Sequence, residues 1–209
     1  MASDESETPD HATPRRRTNA ERTASRRREI LTAASATFAT KGFHKSSLQE
    51  VAAAAGITPA GLLHHFGTKD QLLTELLAHR DASEIAEVND PERPRGNAFL
   101  DHLAVTADRN SRRPGLTQLY VVLSAEGVTD EHPAQDYFRS RYDGLRAMIA
   151  DEIRISQTGE DQRGSSLDPQ EMATLIIAVM DGLQIQWLYD PDAVDMGALV
   201  RKLIAAITA

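Results

Sequence analysis

Three helix starts and two helix stops are packed between Ser47 and Gln71, and this punctuation constrains the chain more than any other stretch. Ser47-Leu48-Gln49-Glu50 is an S-x-x-E capping box, after which Leu48, Val51, Ala52 and Ala55 lie on one face of a short helix stopped by Gly56. Thr58-Pro59 supplies an N-cap and a first-turn proline for a still shorter helix with Leu62, Leu63 and Phe66, ended by Gly67. Thr68-Lys69-Asp70-Gln71 is a T-x-x-Q box opening a longer helix with Leu72, Leu73, Leu76 and Leu77 on one stripe. The two short helices meet at Gly56-Ile57 with the spacing of a helix-turn-helix. Ala52 allows a close crossing, the glycine permits a left-handed turn residue, and Ile57 can plug the core between the helices. The second helix then points its N-terminal residues toward the major groove while the first crosses the phosphate backbone. Two capped short helices also occur in bundles that bind no DNA, so spacing alone does not decide.

Charge distribution favours the nucleic-acid reading. The formal charge of -8 over 209 residues hides a sign reversal. Residues 1–14 carry a net -4, residues 15–70 a net +6 and residues 71–209 a net -10. A basic segment on an acidic protein is the electrostatic footprint of a polyanion-binding module beside a different one.

The rest of the chain reads as all-α. Residues 1–18 lack apolar periodicity and are expected to be a disordered arm. Helix one begins at Asn19, carries Ile30, Ala34 and Phe38 at helical spacing, and ends at Lys41-Gly42. The helix from Thr68 to about 88 links a DNA-binding head, 19–67, to a body, 68–209. Asp90 to Gly96 breaks the pattern. Further helices are expected near 97–110, 115–127, 134–157, 168–188 and 195–208, with a polar loop at 158–167. The segment Leu119 to Leu123 could pass for a strand but has no candidate partner strand. In the helix at 168–188, Met172, Leu175, Ile176, Val179, Met180, Leu183 and Trp187 form one stripe and Ile177, Ile185 and Leu188 another; two apolar faces call for two partners.

Ser46 to Leu73, SSLQEVAAAAGITPAGLLHHFGTKDQLL, resembles the signature of the TetR-like (tetracycline-repressor) family of bacterial regulators. The resemblance rests on Val51-Ala52, the Ala55-Gly56 turn, His65-Phe66 and Lys69 ahead of Leu72-Leu73, with Phe38 and Gly42-Phe43 agreeing. It is specific over about residues 25–80. Two departures stand out: Ala60-Gly61 replaces a frequent Gly-Thr, and Leu63 replaces a usual tyrosine, whose backbone contact therefore does not carry over. Leu63 can touch a thymine methyl instead. The resemblance implies a homodimer of all-helical chains, each with a three-helix DNA-reading head and a ligand-sensing helical bundle.

The expected DNA contacts follow. Lys45, Ser47 and Gln49 stand where helix N-terminal amides face a phosphate. Thr58, Pro59, Ala60 and Gly61 lead the recognition helix, where short side chains leave hydrogen-bond readout largely to Thr58 and His64, aided by shape. His64 and His65 diverge by about 100° and have no carboxylate at i+4 spacing, so phosphate or base contact is expected and no metal. Lys69 opposes its own helix dipole, a conflict that a bridging phosphate resolves. Arg15, Arg16 and Arg17, with Arg26 to Arg28 behind them, can reach an adjacent minor groove. Candidate ligand contacts are the polar or aromatic interruptions of apolar faces: His102, Tyr120, Gln184 and Trp187.

Several functions are disfavoured. The chain has no cysteine, which removes a disulfide scaffold, thiolate metal sites and a cysteine nucleophile. No nucleotide-binding or hydrolase motif appears, so neither an enzyme nor a cofactor is expected. The longest apolar run, Leu175 to Met180, is far too short to span a membrane, and the acidic N-terminus lacks a secretion signal, so a cytoplasmic protein is expected. The expectation is a transcriptional regulator, most simply a repressor, that binds double-stranded operator DNA as a homodimer and is released by a small, mostly apolar effector. The alternatives are a ligand-binding or catalytic bundle with an incidental basic head, and an architectural DNA binder without a ligand.

Overall fold

The computed structural model describes residues 18–88, 90–157 and 167–208, the side chains of 82–88 and 208 excepted. The described residues contain α-helices and no strands. The head comprises α1 (Asn19–Lys45), α2 (Leu48–Ala54) and α3 (Pro59–Phe66). The connecting helix α4 (Lys69–Val88) leads to α5 (Asn97–Ser111), α6 (Pro114–Glu126), α7 (Gln135–Ser156), α8 (Pro169–Tyr189) and α9 (Met196–Thr208). The ambiguous Leu119 to Leu123 lies in α6. The expected arm, apart from Thr18, and residues 158–166 of the expected loop at 158–167 fall outside the described residues.

Caps explain where the helices begin. Ser47 accepts from the Glu50 amide at 3.2 Å while Glu50 accepts from the Ser47 amide at 2.9 Å. Thr68 and Gln71 make the same reciprocal pair at 3.1 and 3.0 Å. Two further boxes, Thr18 with Glu21 and Asp168 with Glu171, start α1 and α8. Both have a capping residue followed by x-x-E, the same local signal as at Ser47.

Two glycines act where the backbone turns left-handed. Gly56 has φ of 65° and makes the turn between α2 and α3. Gly42 has φ of 76° and interrupts α1, which resumes for one turn to Lys45. The interruption falls at the expected residue; its continuation has a tertiary cause. A Cβ at Gly42 would collide with the Glu126 carboxylate of α6, and that carboxylate accepts from the Phe43 amide at 2.5 Å.

Apolar packing divides into two cores. The first joins Ile30, Phe38, Val51, Leu62, Leu72 and Leu77 of α1–α4 to Leu119 and Leu123 of α6 and Phe138 of α7. The second joins Leu100, Ile153, Ile176 and Val200 of α5, α7, α8 and α9. Helix α6 therefore packs with the head, although it follows α5 in sequence. The break at Asp90 to Gly96 is pinned by Glu152 of α7, which is fully buried and accepts from Arg93 at 2.7 Å, Arg95 at 2.8 Å and the Gly96 amide at 2.8 Å. Burial pushes the Glu152 carboxyl up, but these donors outweigh it and hold it below the usual range.

The stripes expected on α8 need correction. Met172, Ile176, Leu183 and Trp187 are buried, together with Ile177 from the other stripe, whereas Leu175, Val179 and Ile185 are exposed. Sandwiching between α7 and α9 gives α8 one wide buried face, and the exposed residues form a separate outer face. By length and composition alone α8 could cross a membrane, yet its apolar inner face is packed against other helices of this chain.

Candidate DNA interface and effector cavity

The short helix α3 offers an outward face made of small groups. Leu62 and Phe66 anchor it in the first core, leaving Thr58, Pro59, Ala60, Leu63 and His64 exposed, with Gly61 half-buried. Thr58 already accepts from the Gly61 amide at 3.1 Å, which caps the helix and leaves its hydroxyl proton to donate elsewhere. A Cβ at Gly61 would lie 3.3 Å from that hydroxyl oxygen. Lys45 and Gln49 are exposed, and Ser47 is half-buried. Arg15, Arg16 and Arg17 lie outside the described residues.

Arg27, not Arg26 or Arg28, orients the recognition helix. Its guanidinium donates to the His65 carbonyl at the end of α3, pairs with Glu75 of α4, and lies 4.3 Å from the Phe66 ring centroid. Arg26 pairs with Glu29 on its own helix, and Arg28 is exposed on another face. Consecutive helical residues point about 100° apart, so a run of three arginines serves three surroundings. His65 is half-buried; burial first, then His64, pushes its imidazole toward the neutral form. Lys41 reaches Glu50 at 2.5 Å, and this ion pair and the cap hold that carboxyl at about 2.

Lys69 has an internal role as well. Its ammonium donates to the Phe43 carbonyl and lies 4.2 Å from the Phe43 ring centroid. The dipole conflict at the start of α4 is thus answered inside the chain. Phe43 is the centre of a joint: Glu126 takes its amide, Lys69 its carbonyl, and the His132 ring meets its edge at 5.2 Å. Nδ1 of His132 accepts from the Ala134 amide at 3.1 Å, and Nε2 is buried 3.9 Å from Glu126. Burial and the neighbouring His44 push this imidazole below its ordinary value.

A cavity of about 130 Å³ lies where the two cores meet. It is lined by Tyr120 from the first core, by Phe99, Ile149 and Ile177 from the second, and by Gln184. Of the four expected ligand contacts, Tyr120 and Gln184 line it; His102 does not, and Trp187 is packed in the second core. Sequence reading missed Arg80, Arg141 and Asp181, which also line it. Asp181 carried a signal, being a carboxylate between the apolar turns of α8. Among the described residues no group of three or more histidines, aspartates or glutamates is placed to hold a metal ion.

The sequence comparisons agree with this architecture. Residues 30–76 match the profile described as bacterial regulatory proteins, tetR family, and residues 93–209 match that of the BetI-type transcriptional repressor C-terminal domain. The chain belongs to the TetR family. Among TetR-family relatives, the HTH-type transcriptional regulator TtgR of Pseudomonas putida is 26% identical over 188 residues, covering 85% of this chain and 87% of TtgR. Nucleoid occlusion factor SlmA of Idiomarina loihiensis is 27% identical over 172 residues, covering 78% and 83%. The structure of the transcriptional regulator FadR from Bacillus subtilis in complex with stearoyl-CoA shares the fold, with a TM-score of 0.67 at 16% identity over 87% of this chain and 97% of FadR. This TetR-family chain is a DNA-binding transcriptional regulator.

Proposed function

We propose that the protein is a homodimeric repressor that leaves its operator when a small, mostly apolar molecule enters the cavity between the two cores. The carrying observation is that α4 and α6 belong to the core of the head and also wall the cavity. Occupancy of the cavity therefore bears on the elements that hold α3. On this reading Thr58, Pro59, Ala60, Gly61, Leu63 and His64 face the bases, while Lys45, Ser47, Gln49, His65 and Lys69 lie toward phosphates. Arg15 to Arg17 extend the contact into the minor groove. Residues 19–67 form the reading unit and 68–209 the sensing and dimerising unit, with no catalytic step.

The dimer reading is supported by the outer face of α8, where Leu175, Val179 and Ile185 are exposed, and by the exposed small residues Ser140, Gly144 and Ala147 of α7, the helix packed against it. Two copies of such a pair can pack as a four-helix bundle. A dimer reads two half-sites roughly 34–36 Å apart, or a multiple, only when its recognition helices match that separation. A ligand that prefers the mismatched arrangement shifts the population off DNA, and operator must weaken ligand binding by the same factor, typically about 5–150-fold.

Selection of bound fragments from the source genome tests the reading. A palindromic site bound at nanomolar affinity with steep salt dependence is expected, and its flanking genes supply candidate effectors. Binding that ignores sequence, or an effector whose affinity is the same with and without operator, would overturn it.

A further inference from the structure

What a ligand of the cavity does rests on the regulatory reading above, but what fits is set by the cavity wall, which is graded from one end to the other. Helix α5 contributes Phe99 and Leu103 and then Thr106 and Asn110, and α8 contributes Ile177 and then Asp181 and Gln184, so both turn from apolar to polar along the chain. Helix α7 runs in reverse, with Arg141 ahead of Leu145 and Ile149. The Tyr142 hydroxyl donates to Asp181 at 2.7 Å, which sets the start of α7 beside that turn of α8, and the Gly96 amide donates to Glu152 at 2.8 Å, which sets the start of α5 beside the end of α7. The polar residues therefore gather at one end and the apolar ones at the other.

At the polar end the ionic groups are already engaged. Asp81 accepts from Arg80 at 3.0 Å and from Arg141 at 3.3 Å, and Asp181 is bound by Tyr142. The Tyr120 hydroxyl accepts from Arg141 Nε at 2.8 Å. Gln184 differs. It is 9% exposed and lines the cavity, yet its side-chain amide has no hydrogen-bond partner among the described residues. Neither amide atom is sealed in the packing, so both remain open to a partner. The Asn110 amide is unpaired as well, but that residue is only half-buried, within reach of bulk water. A buried carboxamide without partners is costly, and that of Gln184 presents an acceptor, Oε1, beside the donors of Nε2.

We propose that Gln184 selects a neutral carboxamide or lactam, whose N–H donates to Oε1 while its carbonyl accepts from Nε2. A primary amide or a cis ring amide completes both hydrogen bonds at once, whereas a ketone or an ester completes only one. The apolar body of the ligand lies toward Phe99, Ile149 and Ile177, and the cavity of about 130 Å³ limits it to roughly one ring with a short chain. Water can serve the Gln184 amide before a ligand arrives, so displacing it favours a ligand only when both hydrogen bonds are replaced. Charged groups of the same shape fail this exchange. A carboxylate offers only acceptors and an amidinium only donors, so each leaves one half of the amide facing its like.

The test uses four probes of one shape: the amide benzamide, the ketone acetophenone, the anion benzoate and the cation benzamidinium, each titrated into the full chain near neutral pH and followed by heteronuclear NMR. Benzamide is expected to bind about tenfold or more tightly than each of the others and to shift the Gln184 side-chain resonances. Gln184→Met keeps the length of the side chain without its amide, so it should erase the preference over acetophenone while leaving acetophenone binding within about twofold. The ranking on the unaltered protein judges the proposal by itself should Gln184→Met fail to fold. Any of the other three as tight as benzamide, a preference that survives Gln184→Met, or no binding of any probe up to about 10 mM would each overturn it. Operator capture from genomic DNA is measured on the same preparation without probes. If operator is captured but benzamide shows no preference, the regulator stands and only the amide is lost; if no operator is captured, the titrations still judge the amide.

Discussion

The core shared by α1–α4 and α6 and the core of α5 and α7–α9 differ in what they enclose. The first is lined by large apolar groups such as Phe38, Leu62 and Leu123, and the buried polar residues on or beside its helices are Ser46, Asp81, Thr117 and His132. The second is ringed by buried charge and amide groups, including Glu152 under the 90–96 loop and Gln184 at the cavity. A reading surface needs rigid placement, which dense apolar packing supplies. A sensor needs polar groups in a dry setting, where electrostatic contacts discriminate strongly. The cavity stands on the seam, so one ligand touches both cores.

The sharpest break in this comparison concerns the outer face of α8. Val179→Arg buries an unpaired charge in the proposed dimer seam and is expected to yield a folded monomer by sedimentation, with operator affinity reduced about 100-fold or more. A persistent dimer would move the seam elsewhere. Next come paired core truncations. Leu123→Ala and Ile176→Ala, both at fully buried positions, should each cost about 3 kcal/mol in denaturant unfolding. Under conditions where both remain folded, only Leu123→Ala should also weaken operator binding; equal effects on DNA would mean that the cores act as one.

Glu126→Ala tests the joint between them. It strips the Phe43 amide of its acceptor and should cost about 1–2 kcal/mol by thermal melting, with a smaller loss of operator affinity. Lys69→Ala separates a brace from a phosphate contact. A uniform loss on all DNA sequences with a salt slope shallower by about one marks the phosphate; an unchanged slope with lower stability marks the brace to Phe43. The smallest effect is with pH. His132 has its pKa depressed by burial, so the unfolded chain binds its proton first as pH falls. Its contribution is full above about 6.5, where the unfolded imidazole is neutral, and is lost as pH drops through the lower folded value. His132→Asn should flatten the stability profile below about 6.5; an unchanged slope there would remove His132 as its source.

The head was legible because its signals are local. Capping residues, turn glycines and the spacing of Val51, Leu62 and Phe66 all act within a few positions, and they fixed the helix-turn-helix and nearly every helix end. The α8 stripes misled because helical spacing identifies neighbours on a face but not which face meets which partner. The cavity was only half legible. Tyr120 and Gln184 stood out as interruptions of apolar faces, but so did His102, which does not line the cavity, and Trp187, which packs in the second core. Arg80 and Arg141 carry no local signal in their amphipathic helices; their position beside Asp81 comes from side-chain contacts between α4 and α7. The role of Arg27 was hidden in the same way, because the His65 carbonyl and Glu75 that it grips are distant in sequence.

Trp187 is the one tryptophan of the chain, and it is 8% exposed within the second core, one turn along α8 from Gln184 at the cavity. The protein therefore carries an optical probe of its sensing half alone. Emission should shift to the red when that core opens to water and should respond when the cavity fills. Loosening of α2 and α3 alone leaves the indole in place and goes unseen by this signal, while far-ultraviolet dichroism registers the lost helix. Recording both on one sample resolves which half of the molecule yields first, with no label attached.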